Sequence, residues 1–320
     1  MPVLLVHFNP HNFSEEQLEQ IHDLAPDKEV IVTHDRAQVA EVLDEIEIAA
    51  SWGPYEQLLK ARNLRWLQQW GAGADWIALR PEFQHMDIVL TNTSGVHAIP
   101  ISEHILALLL AFARDIRRAV SAQSRHEWRR SDAWRVFELA GKTLLLIGVG
   151  AIGTRTAEMA YALGMRVLGV RRHPDETVPG VERVVGPGVL HQVLPEADFV
   201  VLTVPLTEET RNMIGQAELR AMKSSAYLVN IGRGDTINQS ELITALQEGW
   251  IAGAGLDVLE EEPLPEDSPL WEMENVIITS HYAGATPHYM ERATGIFMDN
   301  LRRYQAGEPL RNVVDKHLGY

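Results

Sequence analysis

The stretch that most limits how this chain can fold is TLLLIGVGAIG, residues 143–153. Four apolar residues run into Gly148-Val149-Gly150-Ala151-Ile152-Gly153, and a helical pattern follows at once. This spacing predicts a buried parallel strand, a tight turn and a helix in direct succession. Gly148 permits the turn. Gly150 lets backbone approach a pyrophosphate, and Gly153 lets the helix pack closely on the strand. The helix then presents unpaired N–H groups and its positive dipole end to the phosphates. Glycine-rich turns are common, so the motif alone is weak. Its setting makes it specific, because a second strand is expected over 166–170, immediately after the helix.

Alternation of strand and helix patterns extends to both sides. Upstream, strands are expected over 3–8, 29–34, 46–51, 65–70 and 87–93, with helical periodicity over 14–25, 36–45 and 55–62. Ser14 and Gln17 have the spacing of a capping box. Downstream, strands are expected over 143–147, 166–170, 183–185, 199–204, 227–231, 253–258 and 276–280. Helices are expected over 152–163, 188–194, 216–222, 240–249 and 286–307. Such alternation builds parallel sheets covered by helices on both faces. Between the two series lies SEHILALLLAFARDIRRAVSAQ, which reads as a single helix over 102–123 with Ser102 as its N-cap. Its first half is apolar nearly all round, the signature of burial between bodies or at a subunit interface. A short apolar segment over 312–314 is placed to rejoin the first domain.

Charge and composition exclude several partners. With 28 basic against 44 acidic residues, the formal charge is −16. This opposes nucleic acid or an anionic membrane surface as the main partner. No cysteine is present, so disulfides, thiol catalysis and thiolate–metal sites are out. The apolar N-terminal run lacks the basic flank of a signal peptide, and 105–113 is too short to span a bilayer. The expectation is a soluble, cytoplasmic protein.

Four groups of residues carry candidate chemistry. The strand over 166–170 is followed by Arg171 and Arg172, where NAD-binding folds usually place an acid for the ribose. Two guanidiniums there suit a 2′-phosphate, so NADP(H) is expected over NAD(H). Arg233, in NIGRGD, ends an apolar strand at the edge where open α/β sheets bind ligands. It suits a substrate carboxylate, and it suits equally a strand-end arginine capping carbonyls. Glu260, Glu261 and Glu262 precede Pro263 in a run that reads mostly as a solvated loop. His281 ends the last strand and is a candidate proton donor.

Taken in order, GxGxxG, IGRG, LDVLEEEP and TSH followed by AG resemble the D-isomer-specific 2-hydroxyacid dehydrogenases. The resemblance extends upstream through NTSGVHAIPISEHILALLLAFAR and covers nearly the whole chain. It implies two doubly wound parallel-sheet α/β domains. A Rossmann cofactor domain over 100–287, carrying the long helix at its start, is inserted in a flavodoxin-like substrate domain made of 1–99 and 288–320. It also implies an oxidoreductase passing hydride between NADP(H), with NAD(H) possible, and a small 2-oxo acid of the glyoxylate or hydroxypyruvate type, in a cleft between the domains. Arg233 should bind the substrate. His281 should donate the proton, with Glu262 as its acid partner, because a carboxylate beside an imidazolium favours the protonated form. Ala72 and Gly73, in the loop Gly71-Ala72-Gly73-Ala74-Asp75, should offer backbone N–H groups to the substrate carboxylate. Implied cofactor contacts are Gly148, Gly150, Ala151, Ile152, Gly153, Arg171, Arg172, Val204, Pro205, Ile231, Arg233, Asp257, His281 and Gly284. No metal is implied.

The same resemblance implies a homodimer formed through the region from Ser102 to Ala140, in which Trp134 reaches a partner's site or simply packs. Glu262, where formate dehydrogenases carry glutamine, argues against that branch. The usual Thr-Pro-His is here Thr279-Ser280-His281, a change of loop stiffness. A second class of function stays open at this point. Some proteins of this fold, the C-terminal-binding corepressors, sense dinucleotides and recruit partners without turnover, a reading that predicts added tails or a disordered extension.

Overall fold

The computed structural model describes every residue except Pro54, Asp75, Ala78, Leu79 and Tyr320. Asp75 of the glycine loop therefore lies outside the described residues. The chain divides into two compact units, one formed by 1–96 with 286–320 and the other by 97–285.

In the first unit, β1 (Val3–His7), α1 (Glu15–Leu24), β2 (Glu29–Thr33), α2 (Arg36–Glu41), β3 (Ile46–Ser51), α3 (Tyr55–Leu58), β4 (Trp66–Gln69) and β5 (Val89–Thr91) follow in turn. The parallel sheet has the order β2-β1-β3-β4-β5, the flavodoxin-like doubly wound order. The expected capping box at Ser14 is formed in both directions, because the Ser14 hydroxyl accepts from Gln17 N and the Gln17 side chain accepts from Ser14 N. The 312–314 segment does rejoin this unit, with Val314 N bonded to Leu90 O at 2.8 Å.

The second unit opens with α4 (Ala98–Ala113) and α5 (Ile116–Ser124). The single helix expected over 102–123 is therefore two. The break falls at Asp115, whose φ of 56° is left-handed, a conformation aspartate reaches more readily than most side chains. The start is also earlier than expected. His97 is the N-cap, Pro100 sits in the first turn where a missing N–H costs nothing, and Ser102 is buried with its hydroxyl on Ile99 O. Then come β6 (Thr143–Ile147), α6 (Ala151–Ala162), β7 (Arg166–Val170), β8 (Arg183–Val185), α7 (Leu190–Val193), β9 (Phe199–Leu202), α8 (Gln216–Ala221), β10 (Tyr227–Asn230), α9 (Gln239–Gln247), β11 (Gly253–Leu256) and β12 (Val276–Ile278). The parallel order is β12-β11-β10-β9-β6-β7-β8, that of a Rossmann sheet with one added strand. Every residue of β6 is buried. Separate apolar clusters cover the two faces of this sheet, as a two-sided parallel sheet requires. The last helix, α10 (Tyr289–Ala306), belongs to the first unit and packs there against α1. Among the described residues, no helix is long and apolar enough to cross a membrane.

Candidate active site

The glycine turn sits where the strand order reverses, since β6 lies between β9 and β7. Gly148 has a φ of 96°, and a Cβ there would meet Val204 Cγ1 at 2.9 Å and Thr203 Oγ1 at 3.0 Å. The Thr203 hydroxyl donates to Gly148 O at 2.7 Å and closes the turn against β9. A Cβ on Gly153 would lie 2.3 Å from Gly148 O, so only glycine lets α6 begin this close to the strand. Gly150 differs from both. Nothing lies within 4 Å of where its Cβ would be, and as N-cap of α6 it offers no side chain to the first-turn amides. Open space over uncapped amides, starting at Ala151 and Ile152, fits a dinucleotide pyrophosphate.

Beyond β7, the two arginines are held by acids of the same unit. Arg171 pairs with Glu176 at 3.0 Å and Arg172 with Glu209 at 2.9 Å. Both glutamates are well exposed, so an anion of higher charge competes with them across solvent. Val204 and the exposed Pro205 follow β9 on the same sheet edge.

Three neighbouring strands deliver the remaining candidates. Arg233 follows β10, the 257–262 segment follows β11 and His281 follows β12, and these strands are adjacent in the sheet. Their exits are stitched together, because Asp257 N donates to Asn230 O at 3.0 Å and His281 N donates to Asp257 O at 2.9 Å. The Arg233 backbone is fixed through its carbonyl, which accepts from Asn230 Nδ2 at 2.9 Å and Thr236 Oγ1 at 2.6 Å. Its guanidinium Nη1 donates to Gly232 O at 2.8 Å. Ile231 is buried beneath. Gly234 explains the second glycine of the IGRG motif. A Cβ there would stand 1.9 Å from Leu259 O and 2.5 Å from Glu260 N, so its absence allows the two loops to touch.

Among the three glutamates, the structure separates one from the others. Glu262 Oε2 lies 2.7 Å from His281 Nδ1, and Glu262 Oε1 accepts from Leu259 N at 2.9 Å. Both oxygens are thereby oriented; all three glutamates are exposed, and these two bonds are what set Glu262 apart. With Nδ1–H donated to the carboxylate, the His281 Nε2 edge is the one left to face a reactant. His281 itself has a φ of 53°. For a non-glycine residue this is a left-handed conformation that the surroundings must enforce, and such positions cluster at functional sites.

What enforces it is Asp257. This carboxylate is 3% exposed. It accepts from Tyr282 N at 3.1 Å, Ala283 N at 3.0 Å and the Thr279 hydroxyl at 2.6 Å, and so clamps the loop on both sides of His281. Gly284 completes the loop with its carbonyl 3.0 Å from His97 Nδ1. Two members of this network were missed at the sequence level. Neither the Thr279 hydroxyl nor His104, 3.0 Å from it, is marked out by any motif spacing in the sequence. The expected helix start at Ser102 leaves His97 outside the helix, so the shared face of His97 and His104 emerges only in the fold.

In the first unit, the glycine loop after β4 is held from one side. Gly71 O accepts from Gln69 Nε2 and Thr93 N at 3.1 and 3.2 Å, and Ala72 O accepts from Asn92 Nδ2 at 2.8 Å. In a trans peptide the N–H points opposite the carbonyl. The amides of Ala72 and Gly73 therefore face away from these partners, as an anion site on this loop requires.

Comparison with known proteins agrees with this geometry. The family described as "D-isomer specific 2-hydroxyacid dehydrogenase, NAD binding domain" matches residues 106–283. A glyoxylate reductase from Korarchaeum cryptofilum is 40% identical over 266 residues, covering 81% of this chain and 78% of its own. A solved D-isomer specific 2-hydroxyacid dehydrogenase family protein from Aeromonas salmonicida superposes with a TM-score of 0.84 at 31% identity, over 98% of this chain and 99% of the other. An NADPH-dependent glyoxylate/hydroxypyruvate reductase from Sinorhizobium meliloti, solved with NADP and sulfate, gives 0.83 at 28% identity over 100% and 99%. The strand order, the glycine turn and these relatives lead to one conclusion: the chain belongs to the D-isomer-specific 2-hydroxyacid dehydrogenase family.

Proposed function

We propose that this dehydrogenase is an NADP(H)-preferring reductase of small 2-oxo acids, of the glyoxylate or hydroxypyruvate type. The observation that carries the reading is the Glu262–His281 pair, 2.7 Å apart, on the sheet edge that also presents Arg233. When bound, the nicotinamide supplies hydride to the substrate carbonyl carbon. The chain's own residues do the rest. His281 hands the Nε2 proton to the carbonyl oxygen as charge develops there, and Glu262 stabilises the imidazolium and fixes its ring. Arg233 and the amides of Ala72 and Gly73 are assigned to the substrate carboxylate, with Arg233 also polarising the carbonyl. Ala151, Ile152 and the three glycines of the turn are assigned to the pyrophosphate. Val204, Pro205, Ile231, Asp257 and Gly284 are assigned to the adenine and nicotinamide ends.

The NADP(H) preference rests on Arg171 and Arg172. A 2′-phosphate carries more charge than one carboxylate and offers three acceptor oxygens, so it can replace Glu176 and Glu209 on these guanidiniums. Structural relatives support this, since the Sinorhizobium meliloti reductase was solved with NADP and a Xanthobacter autotrophicus relative with NADPH. The homodimer is proposed through the region from Ser102 to Ala140, where Ile116, Val120, Trp128 and Trp134 leave apolar side chains exposed. Steady-state oxidation of NADPH and NADH with a panel of 2-oxo acids of increasing size tests the substrate class. The reading expects the highest kcat/KM for the two- and three-carbon acids, and a maximum at bulky aliphatic or aromatic acids refutes it.

A further inference from the structure

The side of α4 that carries residues 97, 101, 104 and 108 (spacings of four, three and four) forms one helical face. This face lies under the catalytic loop and its strand. His97 Nδ1 is 3.0 Å from Gly284 O, and Leu108 packs where a Cβ on Gly255 of β11 would be, at 3.2 Å. Between them, His104 Nε2 lies 3.0 Å from Thr279 Oγ1 and 3.8 Å from Asp257 Oδ1, with its ring edge-on to Tyr282 at 5.5 Å.

Proton counting sets the direction of this chain of bonds. Asp257 is a buried carboxylate that already accepts two backbone N–H groups, and the Thr279 hydroxyl gives it the third bond at 2.6 Å. A hydroxyl has one proton, so Thr279 has none left for His104. The imidazole must therefore donate, from Nε2–H. Burial, partly opposed by the Asp257 carboxylate, holds His104 below the ordinary histidine value, which keeps a neutral ring with a single N–H at neutral pH.

We propose that His104 is a positioning residue for the reaction: its Nε2–H fixes Thr279, Thr279 orients the Asp257 carboxylate, and Asp257 holds the left-handed backbone that aims His281. This rests on the assignment of His281 as proton donor. His104 touches no reactant. Its loss leaves the Thr279 oxygen short of a donor and loosens the clamp on the 279–284 loop, which lowers turnover without removing any group that binds substrate.

The test pairs a spectroscopic measurement with three variants. Selective ¹⁵N-histidine labelling of the intact protein should show His104 as the Nε2–H tautomer at neutral pH. His104→Leu, close in size and without a donor, should reduce kcat about tenfold with the substrate KM within about twofold, the scale expected when a reacting group is displaced by a fraction of an ångström. His104→Gln, whose Nε2 can donate in the same place, should recover most of that loss. An Nδ1–H tautomer, a wild-type kcat in His104→Leu, or a Gln variant as impaired as Leu each overturns the proposal. If the Leu variant fails to fold, the tautomer and the Gln variant decide. His281→Asn separates the two levels. Retained turnover there overturns the proton-donor assignment and this inference with it, whereas loss there beside an unaffected His104→Leu overturns this inference alone.

Discussion

Gly234→Ala is the most exacting perturbation of the site, because it adds one methyl group at the contact between the loops that carry Arg233 and Glu262. The new Cβ would stand 1.9 Å from Leu259 O and 2.0 Å from Leu259 C. Ordinary carbon–oxygen contact needs about 3.3–3.5 Å, so one loop must retreat by roughly 1.5 Å. The backbone N–H of Leu259 is the group that holds Glu262 Oε1 at 2.9 Å, so retreat of that segment carries the carboxylate away from His281. A displacement of this size costs about 10²-fold in turnover when it falls on catalytic groups, and overpacking adds about 1–3 kcal/mol of destabilisation. Steady-state kinetics with NADPH, beside thermal melting, should show kcat/KM down by about two orders of magnitude in a protein that still folds. The effect should also be non-additive with Glu262→Gln, because both changes act on one contact. Wild-type kinetics in Gly234→Ala, or full additivity in the double variant, refutes the coupling of these loops through Leu259.

Other expectations follow from the same geometry. Glu262→Gln keeps the acceptor for Leu259 N but removes the charge beside His281. Steady-state kcat for reduction should fall by about 10²-fold, since the positioned proton donor loses the charged partner that fixes its ring; a wild-type kcat contradicts the pairing. Gly153→Ala places a Cβ 2.3 Å from Gly148 O, so titration calorimetry should show dinucleotide affinity falling for NADPH and NADH alike. A cofactor-selective loss there contradicts a pyrophosphate role. Arg171→Ala should raise the KM for NADPH about tenfold and leave NADH unchanged, near the low end for a charge-assisted bond because Glu176 is released at the same time. Equal effects on both cofactors would refute the 2′-phosphate assignment.

Much of this was legible in the chain because it depends on local chemistry. The capping box at Ser14 and the glycine turn at 148–153 are determined by residues that touch their own neighbours, and strand positions such as 46–51 and 183–185 follow from apolar runs bounded by turns. The break at Asp115 was not legible by periodicity, since apolar spacing continues across it and no glycine or proline marks it. Selection of Glu262 from three consecutive glutamates came from resemblance, because the property that separates them is a hydrogen bond to a histidine 19 residues away. The Asp257 clamp was hidden for the same reason. Its partners come from α4 and from the loop after β12, and only the sheet order β10-β11-β12 brings them together. Arg171 and Arg172 could be picked out by position as a candidate anion site, but their pairing with Glu176 and Glu209 could not.

The central claim is that this site reduces a small 2-oxo acid with NADPH. Initial rates of nicotinamide oxidation, measured with glyoxylate and hydroxypyruvate against both NADPH and NADH, test it most directly. Turnover with both acids and a kcat/KM ratio favouring NADPH are expected. Absence of turnover with either cofactor, or a ratio favouring NADH, would contradict it.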